Sequence, residues 1–277
     1  MKRAAIIFNP GSGKGRSVLR AQDFATQWKE RFGTEVVLRA TTSYKDIRVA
    51  AKETAGEDVV SVFLGGDGTL SECLQGLAEE SQFQPLQNPI GFLPGGSGNS
   101  FLRDFGILDY QTARDELFKA VEAGVSTTID SGLIRYKSFD PNNPSVPGKD
   151  TTRLLMNIFG LGLIPDITAL AIKMRYFGEF NYTIATIMKI LTHKPFDIAF
   201  KVDGVLEKFR ANLISISNSR FTGGAMEIAP DIRVNDGKLF FFVSEIESRL
   251  ELFGLFPSMI KGKHLTDRRT TCRLVQS

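Results

Sequence analysis

Short apolar runs and helical patterns alternate along the first 125 residues. Ala4 to Phe8, Glu35 to Leu38, Val59 to Leu64 and Ile90 to Leu93 are rich in apolar and β-branched residues, which predicts buried strands. Helical spacing follows from about Ser17, Tyr44, Leu70 and Asn99, and again from Thr112 to a stop at Gly124. Strands alternating with helices predict βα units: a parallel sheet covered on both faces, the usual architecture of an α/β domain.

The pattern changes near Ser126. Segments 126–136, 153–159, 196–202 and 205–217 read as strands, with turn signals at Asp203-Gly204 and Asp236-Gly237, so residues 126–277 are expected to form a second, mainly antiparallel β-sandwich-like domain after an α/β domain at 1–125. Two helical patterns interrupt it, 166–193 and 248–261, and the proline-rich stretch 138–149 reads as a loop. No internal repeat is visible.

Three strands of the first domain run into glycines and then a helix: NPGSGKGRS (Asn9 to Ser17), GGDGTLSE (Gly65 to Glu72) and LPGGSGNS (Leu93 to Ser100). In an open parallel sheet all strand carboxyl ends share one edge, so these loops should face one crevice. Glycines let the backbone approach a ligand, and helix starts offer unpaired N–H groups to phosphate. The first loop departs from the Walker pattern, having Phe8 in place of its first glycine and Gly15 after Lys14, and it lacks the spacing of the dinucleotide fingerprint.

In the second loop Thr69 and Glu72 have the spacing of a capping box, followed by Leu70, Cys73, Leu74 and Leu77 at helical intervals. Capping leaves Asp67 unexplained. An acid between Gly66 and Gly68 would repel phosphate unless a divalent cation lay between them or it took a proton from the attacking group, which points to chemistry on the phosphate.

Composition narrows the class. The 34 basic and 31 acidic side chains leave a net charge of +3, too small for nucleic-acid binding by bulk electrostatics, so no nucleic-acid partner is expected. Two cysteines, Cys73 and Cys272, have no metal or disulfide spacing, and a reducing, cytoplasmic setting is expected. Cys73 belongs to a core face. No run approaches the ~18 apolar residues of a membrane span, so lipid would be met at the bilayer surface. His193 and His264 lack local partners and read as surface residues.

GGDGT, preceded by NPGSGKG and followed by LPGGSGN, resembles the diacylglycerol kinase catalytic-domain family, which includes bacterial diacylglycerol kinases and the sphingosine and ceramide kinases and is distantly similar to NAD kinases. The resemblance continues in MNIFGLGLIPD, GGAMEIAP, NDGKL and IKGKHL, over nearly the whole chain. It implies an ATP- and Mg²⁺-dependent lipid kinase. Asn9, Thr41, Gly65, Gly66, Asp67, Gly68, Thr69, Leu70, Ser71 and Ser97 would serve ATP, and Asp67 would lie at the metal and the transferred phosphoryl as the catalytic residue. Asp166 would meet the lipid head group, although it also suits a helix cap. A loop matching Arg233 to Lys238 would hold a structural Mg²⁺ through the Asp236 side chain and the carbonyls of Arg233 and Lys238; a plain Asp-Gly hairpin is the other reading.

Two departures bear on activity. Ser97 and Ser100 stand where bacterial diacylglycerol kinases have threonine and aspartate, closer to the sphingosine kinase style. The family's last strand carries an Asp-Gly-Glu whose glutamate is the proposed base, and no match precedes Ser277: the chain reads as truncated, as a nucleotide-binding module with little turnover, or as using Asp67 as base. Diacylglycerol is the expected acceptor, with a sphingoid or ceramide-type lipid, or NAD, as alternatives. Residues 170–191 and 252–264 pair apolar and basic positions in the manner of helices that rest on anionic lipid, a pattern core packing also produces. Peripheral membrane association and a homodimer complete the expected partners.

Overall fold

The computed structural model describes residues 3–54, 59–86, 88–96, 99–138, 148–174, 181–223, 226–260 and 262–276. They fall into two compact units, Met1–Ile129 with Leu133–Leu155, and Asp130–Gly132 with Met156–Ser277.

The first unit carries a parallel sheet of β1 (Arg3–Phe8), β2 (Val36–Ala40), β3 (Val59–Gly65) and β4 (Ile90–Pro94) in the order β2-β1-β3-β4. Central β1 and β3 are the most deeply buried, as their continuous apolar runs require. Helix α1 (Arg16–Phe32) buries Ala21, Phe24 and Trp28 at helical spacing against Ile6, Val62, Leu64 and Phe118, and it ends at Gly33 in the left-handed region, φ 69°. Burying each such large side chain contributes about 1.5–3 kcal/mol. α2 (Tyr44–Thr54), α3 (Asp67–Glu80) and α4 (Tyr110–Ala123) complete the layers, with Asp109 capping α4 through the N–H of Thr112. The helix expected from Asn99 is instead a single 3-10 turn, Phe101–Phe105.

Helix α3 is buried almost all round, which requires partners on every side. Gly76 admits the main chain of Arg48: a Cβ there would lie 2.7 Å from its carbonyl oxygen. On another face the helix holds β6 (Asp150–Leu155), which pairs with β5 (Gly132–Lys137). The buried Gln75 amide donates to Thr152 O at 3.0 Å and accepts from Leu154 N at 2.9 Å, standing in for a neighbouring strand. Glu72 does not close a capping box. Gly66 is the N-cap of α3, and the Glu72 carboxylate lies between Arg48 (2.5 Å) and Arg153 (2.6 Å).

Burial alone would push the Glu72 carboxyl up, but the bonds from Arg153 and Arg48 outweigh it and hold it below its ordinary 4.5. A depressed carboxyl contributes stability that is present above the unfolded value and is lost as pH falls through the folded one. Urea unfolding midpoints followed from neutral to acid pH are therefore expected to fall more steeply in the native chain than in Glu72→Gln. Parallel slopes would remove the pair from acid stability.

The second unit is built on an antiparallel sheet of β7 (Ile158–Gly162), β10 (Leu213–Ser217), β13 (Leu239–Ser244) and β14 (Thr270–Val275), in the order β14-β13-β10-β7. A hairpin of β8 (Phe196–Val202) and β9 (Val205–Ala211) turns at Asp203-Gly204, and β11 (Phe221–Thr222) pairs with β12 (Met226–Glu227). The helices are α5 (Leu163–Lys173), α6 (Asn181–Thr192) and α7 (Arg249–Ile260). Two runs read as single strands are each divided. One breaks between Leu155 and Ile158. The other breaks at Asn212, whose N–H bonds Ser244 O and whose side-chain amide bonds Ile246 O. The helical pattern 166–193 likewise forms two helices, and residues 139–147 of the expected loop lie outside the described residues.

The histidines are not surface residues. His264 is fully buried, its Nε2 2.9 Å from Ile228 O and its ring edge-on to Phe242, and burial pushes its pKa down. His193 is half-buried beside Phe196. Cys73 is in the core, as its helical position requires.

Candidate active site

The parallel strands of the first unit deliver their following loops to one edge. After β1, Asn9 turns its side chain back to accept from Gly11 N at 2.8 Å, and the chain makes a 3-10 turn over Ser12–Gly15 before α1. Gly95, after β4, donates to the carbonyl of Gly65, the last residue of β3, at 2.6 Å, and its own carbonyl accepts from Ser12 Oγ at 3.4 Å. The loops touch backbone to backbone: a Cβ on Gly96 would lie 2.6 Å from Gly66 Cα, and one on Gly13 would lie 2.8 Å from Gly95 O. Glycine is needed at these positions because of this approach. All three loops therefore converge, as the shared sheet edge predicts.

Asp67 opens α3, where the positive end of the helix favours an acid. Its carboxylate accepts from Ser100 N at 2.8 Å and Phe101 N at 3.0 Å, so it also anchors the 3-10 turn that follows the third loop. Such bonds to a charged acceptor are each worth about 1.5–3 kcal/mol. Asn99, with φ 44°, closes the turn by pairing its amide with Gly96 N (3.1 Å) and Gly96 O (2.8 Å).

The other expected nucleotide residues occupy varied settings. Thr41 is buried, with its hydroxyl committed to Phe8 O at 3.2 Å. Gly68 is exposed, Gly66 and Ser71 are half-buried, and Gly65 packs against the Thr69 side chain. Leu70 is a core residue, 1% exposed, so only its main chain is available to a ligand. Ser97 lies outside the described residues.

In the second unit Asp166 sits exposed in the first turn of α5, 3.5 Å from Lys189 Nζ on α6, and Gly162 rather than Asp166 is the N-cap. The loop at Arg233 to Lys238 closes on itself: Asp236 accepts from Arg233 N (3.1 Å) and Lys238 N (3.0 Å), and Asp130 accepts from Gly237 N at 2.6 Å. The metal ligands expected of it, the Asp236 carboxylate and the Arg233 and Lys238 carbonyls, are all oxygens, the kind Mg²⁺ takes. Both Asp236 oxygens nonetheless serve the turn, and no group of three or more His, Cys, Asp or Glu suited to a metal occurs among the described residues. No described helix is long and apolar enough to cross a membrane.

Sequence reasoning did not find Gln75, Arg48 and Arg153, which hold the helix that carries Asp67. The available signal was a glutamine set among the apolar positions Cys73, Leu74, Leu77 and Ala78.

The fold and the edge together define a class: a parallel α/β unit whose glycine loops meet at one sheet edge, followed by an antiparallel β unit. Comparison with known proteins agrees. The diacylglycerol kinase catalytic domain matches residues 3–134, and the YegS C-terminal NAD kinase beta sandwich-like domain matches residues 162–276. A diacylglycerol kinase of Mycobacterium tuberculosis (strain ATCC 25618 / H37Rv) is 30% identical over 269 residues, covering 95% of this chain and 80% of that protein. One from Bacillus subtilis (strain 168) is 28% identical over 277 residues, covering 97% and 82%. The solved structure of a diacylglycerol kinase from Bacillus anthracis str. Sterne superposes with a TM-score of 0.68 at 20% identity, covering 99% of this chain and 84% of the other. The chain belongs to the diacylglycerol kinase family, a family of lipid kinases.

Proposed function

We propose that this chain transfers the γ-phosphoryl of ATP to the hydroxyl of a lipid, with diacylglycerol as the acceptor. The observation that carries the reading is the meeting of the three glycine loops at one sheet edge with Asp67 among them. Loop N–H groups and the start of α3 would hold the phosphates, since backbone donors at a helix start favour anions. Asn9, Thr41, the run from Gly65 to Ser71, and Ser97 form the nucleotide side of this reading.

Mg²⁺ is commonly held by one or two carboxylates together with substrate phosphates, and when bound it neutralises charge on the transferring group. Asp67 suits that role, because each carboxylate oxygen has a lone pair beyond the one that meets Ser100 or Phe101. As the acceptor oxygen bonds to the γ-phosphorus, the bond to the β–γ bridging oxygen breaks and ADP leaves. The hydroxyl proton goes to a base, a task this reading gives to the Asp67 carboxylate. Asp166 would meet the head group. Arg233 and Lys238 through their carbonyls, and Asp236 through the lone pairs its two hydrogen bonds leave, would take a second, structural Mg²⁺.

The test is transfer of labelled phosphate from ATP with Mg²⁺ to diacylglycerol, a sphingoid base, ceramide or NAD, each supplied alone. Label in diacylglycerol above the other acceptors is expected. Label in NAD alone would replace the reading, and tight ATP binding with no labelled product would leave a nucleotide-binding module.

A further inference from the structure

An aromatic ring stands unused beside the glycine edge. Tyr44 opens α2 and is 68% exposed, although neither the packing nor the capping of that helix requires it. The buried face of α2 is formed by Ile47, Ala50 and Ala51. Its first turn is closed by other residues: Ser43 Oγ accepts from Asp46 N at 3.2 Å, and Asp46 accepts from Thr42 N at 2.8 Å. Among the described residues the Tyr44 hydroxyl has no hydrogen bond and the ring no aromatic partner. An aromatic side chain left in water forgoes the large stabilisation that its burial brings.

What the ring does approach is the second glycine loop. A Cβ on Gly68 would lie 4.0 Å from Tyr44 Cε1, and Gly68 is itself exposed in the first turn of α3, between Asp67 and Thr69. With no side chain at 68, the ring lies open beside the main chain to which the phosphates are assigned. Tyr44 follows Thr41 by three residues, and Thr41 N donates to Phe8 O at 2.8 Å, so the ring belongs to the edge where β1 and β2 end. A flat π-face next to a phosphate site suits a nucleobase, since every base has such a face to stack on it. The polar side chains around the ring are already engaged. The Thr42 hydroxyl donates to Asp46 at 3.3 Å, and the Arg39 guanidinium donates to Asp46 at 2.9 Å and to Glu53 at 3.2 Å. They leave little to read the edge of a base by hydrogen bonds.

We infer that Tyr44 is the residue on which the base of the phosphoryl donor stacks, and that this end of the site recognises the face of a base rather than its edge. The inference rests on the kinase reading for the phosphates and adds the other end of the donor. The class of ligand is a nucleoside triphosphate whose base is held by stacking on this ring, adenine and guanine alike.

Calorimetric titration of the native chain, Tyr44→Ala and Tyr44→Phe with ATP, GTP and inorganic tripolyphosphate, each with Mg²⁺, tests it. Tyr44→Ala is expected to weaken ATP and GTP by a common factor of about 5- to 150-fold, the usual effect of removing one base–aromatic stack. Tyr44→Phe keeps the ring and should bind both nucleotides as the native chain does. Tripolyphosphate has no base and should bind all three alike. Tyr44 lies outside the core, so both variants should keep the native circular dichroism. Unchanged ATP affinity in Tyr44→Ala overturns the inference, as does a native chain that binds neither nucleotide. An equal loss for tripolyphosphate overturns it by marking a disturbed loop, and a loss in Tyr44→Phe as large as in Tyr44→Ala by assigning the hydroxyl. A loss confined to one of the two nucleotides overturns it by showing that the edge is read. Transfer of labelled phosphate to lipid, followed beside these titrations, separates the two readings. Transfer by the native chain with full ATP affinity in Tyr44→Ala removes only the stack, and weakened binding by Tyr44→Ala where the native chain transfers nothing removes only the kinase.

Discussion

Asp67→Asn is expected to lower phosphoryl transfer by about 10²–10⁴, the usual range for loss of an acid–base group, while ATP binding measured by calorimetry stays within about tenfold of native. The two readouts are needed because the carboxylate has a structural task as well. It accepts the N–H groups of Ser100 and Phe101, and an asparagine keeps only one of the two acceptor oxygens. Loss of the second bond and of the charge is expected to cost about 1–3 kcal/mol in stability. If that were the whole effect, ATP binding and turnover would decline together as the 101–105 turn loosened. A collapse of turnover with binding retained assigns the charge to the chemistry. Native turnover in Asp67→Asn would remove Asp67 from it.

The largest loss of stability is expected from Gly162→Ala. Gly162 has φ 74° and ψ −120°, a conformation that residues with a Cβ avoid, and it joins β7 to α5. It also pairs in register with Leu213, so that a Cβ would overlap Asn212 O and lie 2.6 Å from the Phe196 ring. Backbone strain of about 1–3 kcal/mol and overpacking of about 1–3 kcal/mol should combine to about 3–5 kcal/mol in urea unfolding. Gly204 is the control: it has φ 88° at the β8–β9 turn, but nothing lies within 4 Å of its absent Cβ. Gly204→Ala should cost about 1–2 kcal/mol. Equal losses at both positions would show that close packing at Gly162 contributes nothing.

Much of this architecture is legible in the sequence where one local rule acts alone. The strand β8 has the bounds its apolar run predicts, and the β8–β9 turn falls at Asp203-Gly204. β1, β3 and β4 each differ from expectation by a residue at one end, because a buried parallel strand is a bounded apolar run. The convergence of the glycine loops follows from strand direction, a property of the whole sheet that the βα order already implies.

Other features depended on distant partners. Thr69 and Glu72 have capping-box spacing, but Glu72 is drawn to Arg48 and Arg153, 24 and 81 positions away, and the helix begins instead at Asp67. His264 has no neighbour in sequence to explain it; its partner is the Ile228 carbonyl, 36 residues earlier. The division of 205–217 at Asn212 likewise reflects bonds to Ser244 and Ile246, contacts no local window contains.

The Gln75 amide holds β6 by its main chain, through the carbonyl of Thr152 and the N–H of Leu154, and so takes no account of which side chains those residues carry. Positions 152 and 154 are therefore free to drift among relatives without loosening the helix, whereas position 75 is not. Within the family, variety should gather at those two positions while the glutamine facing them, and Arg153 between them, stay fixed.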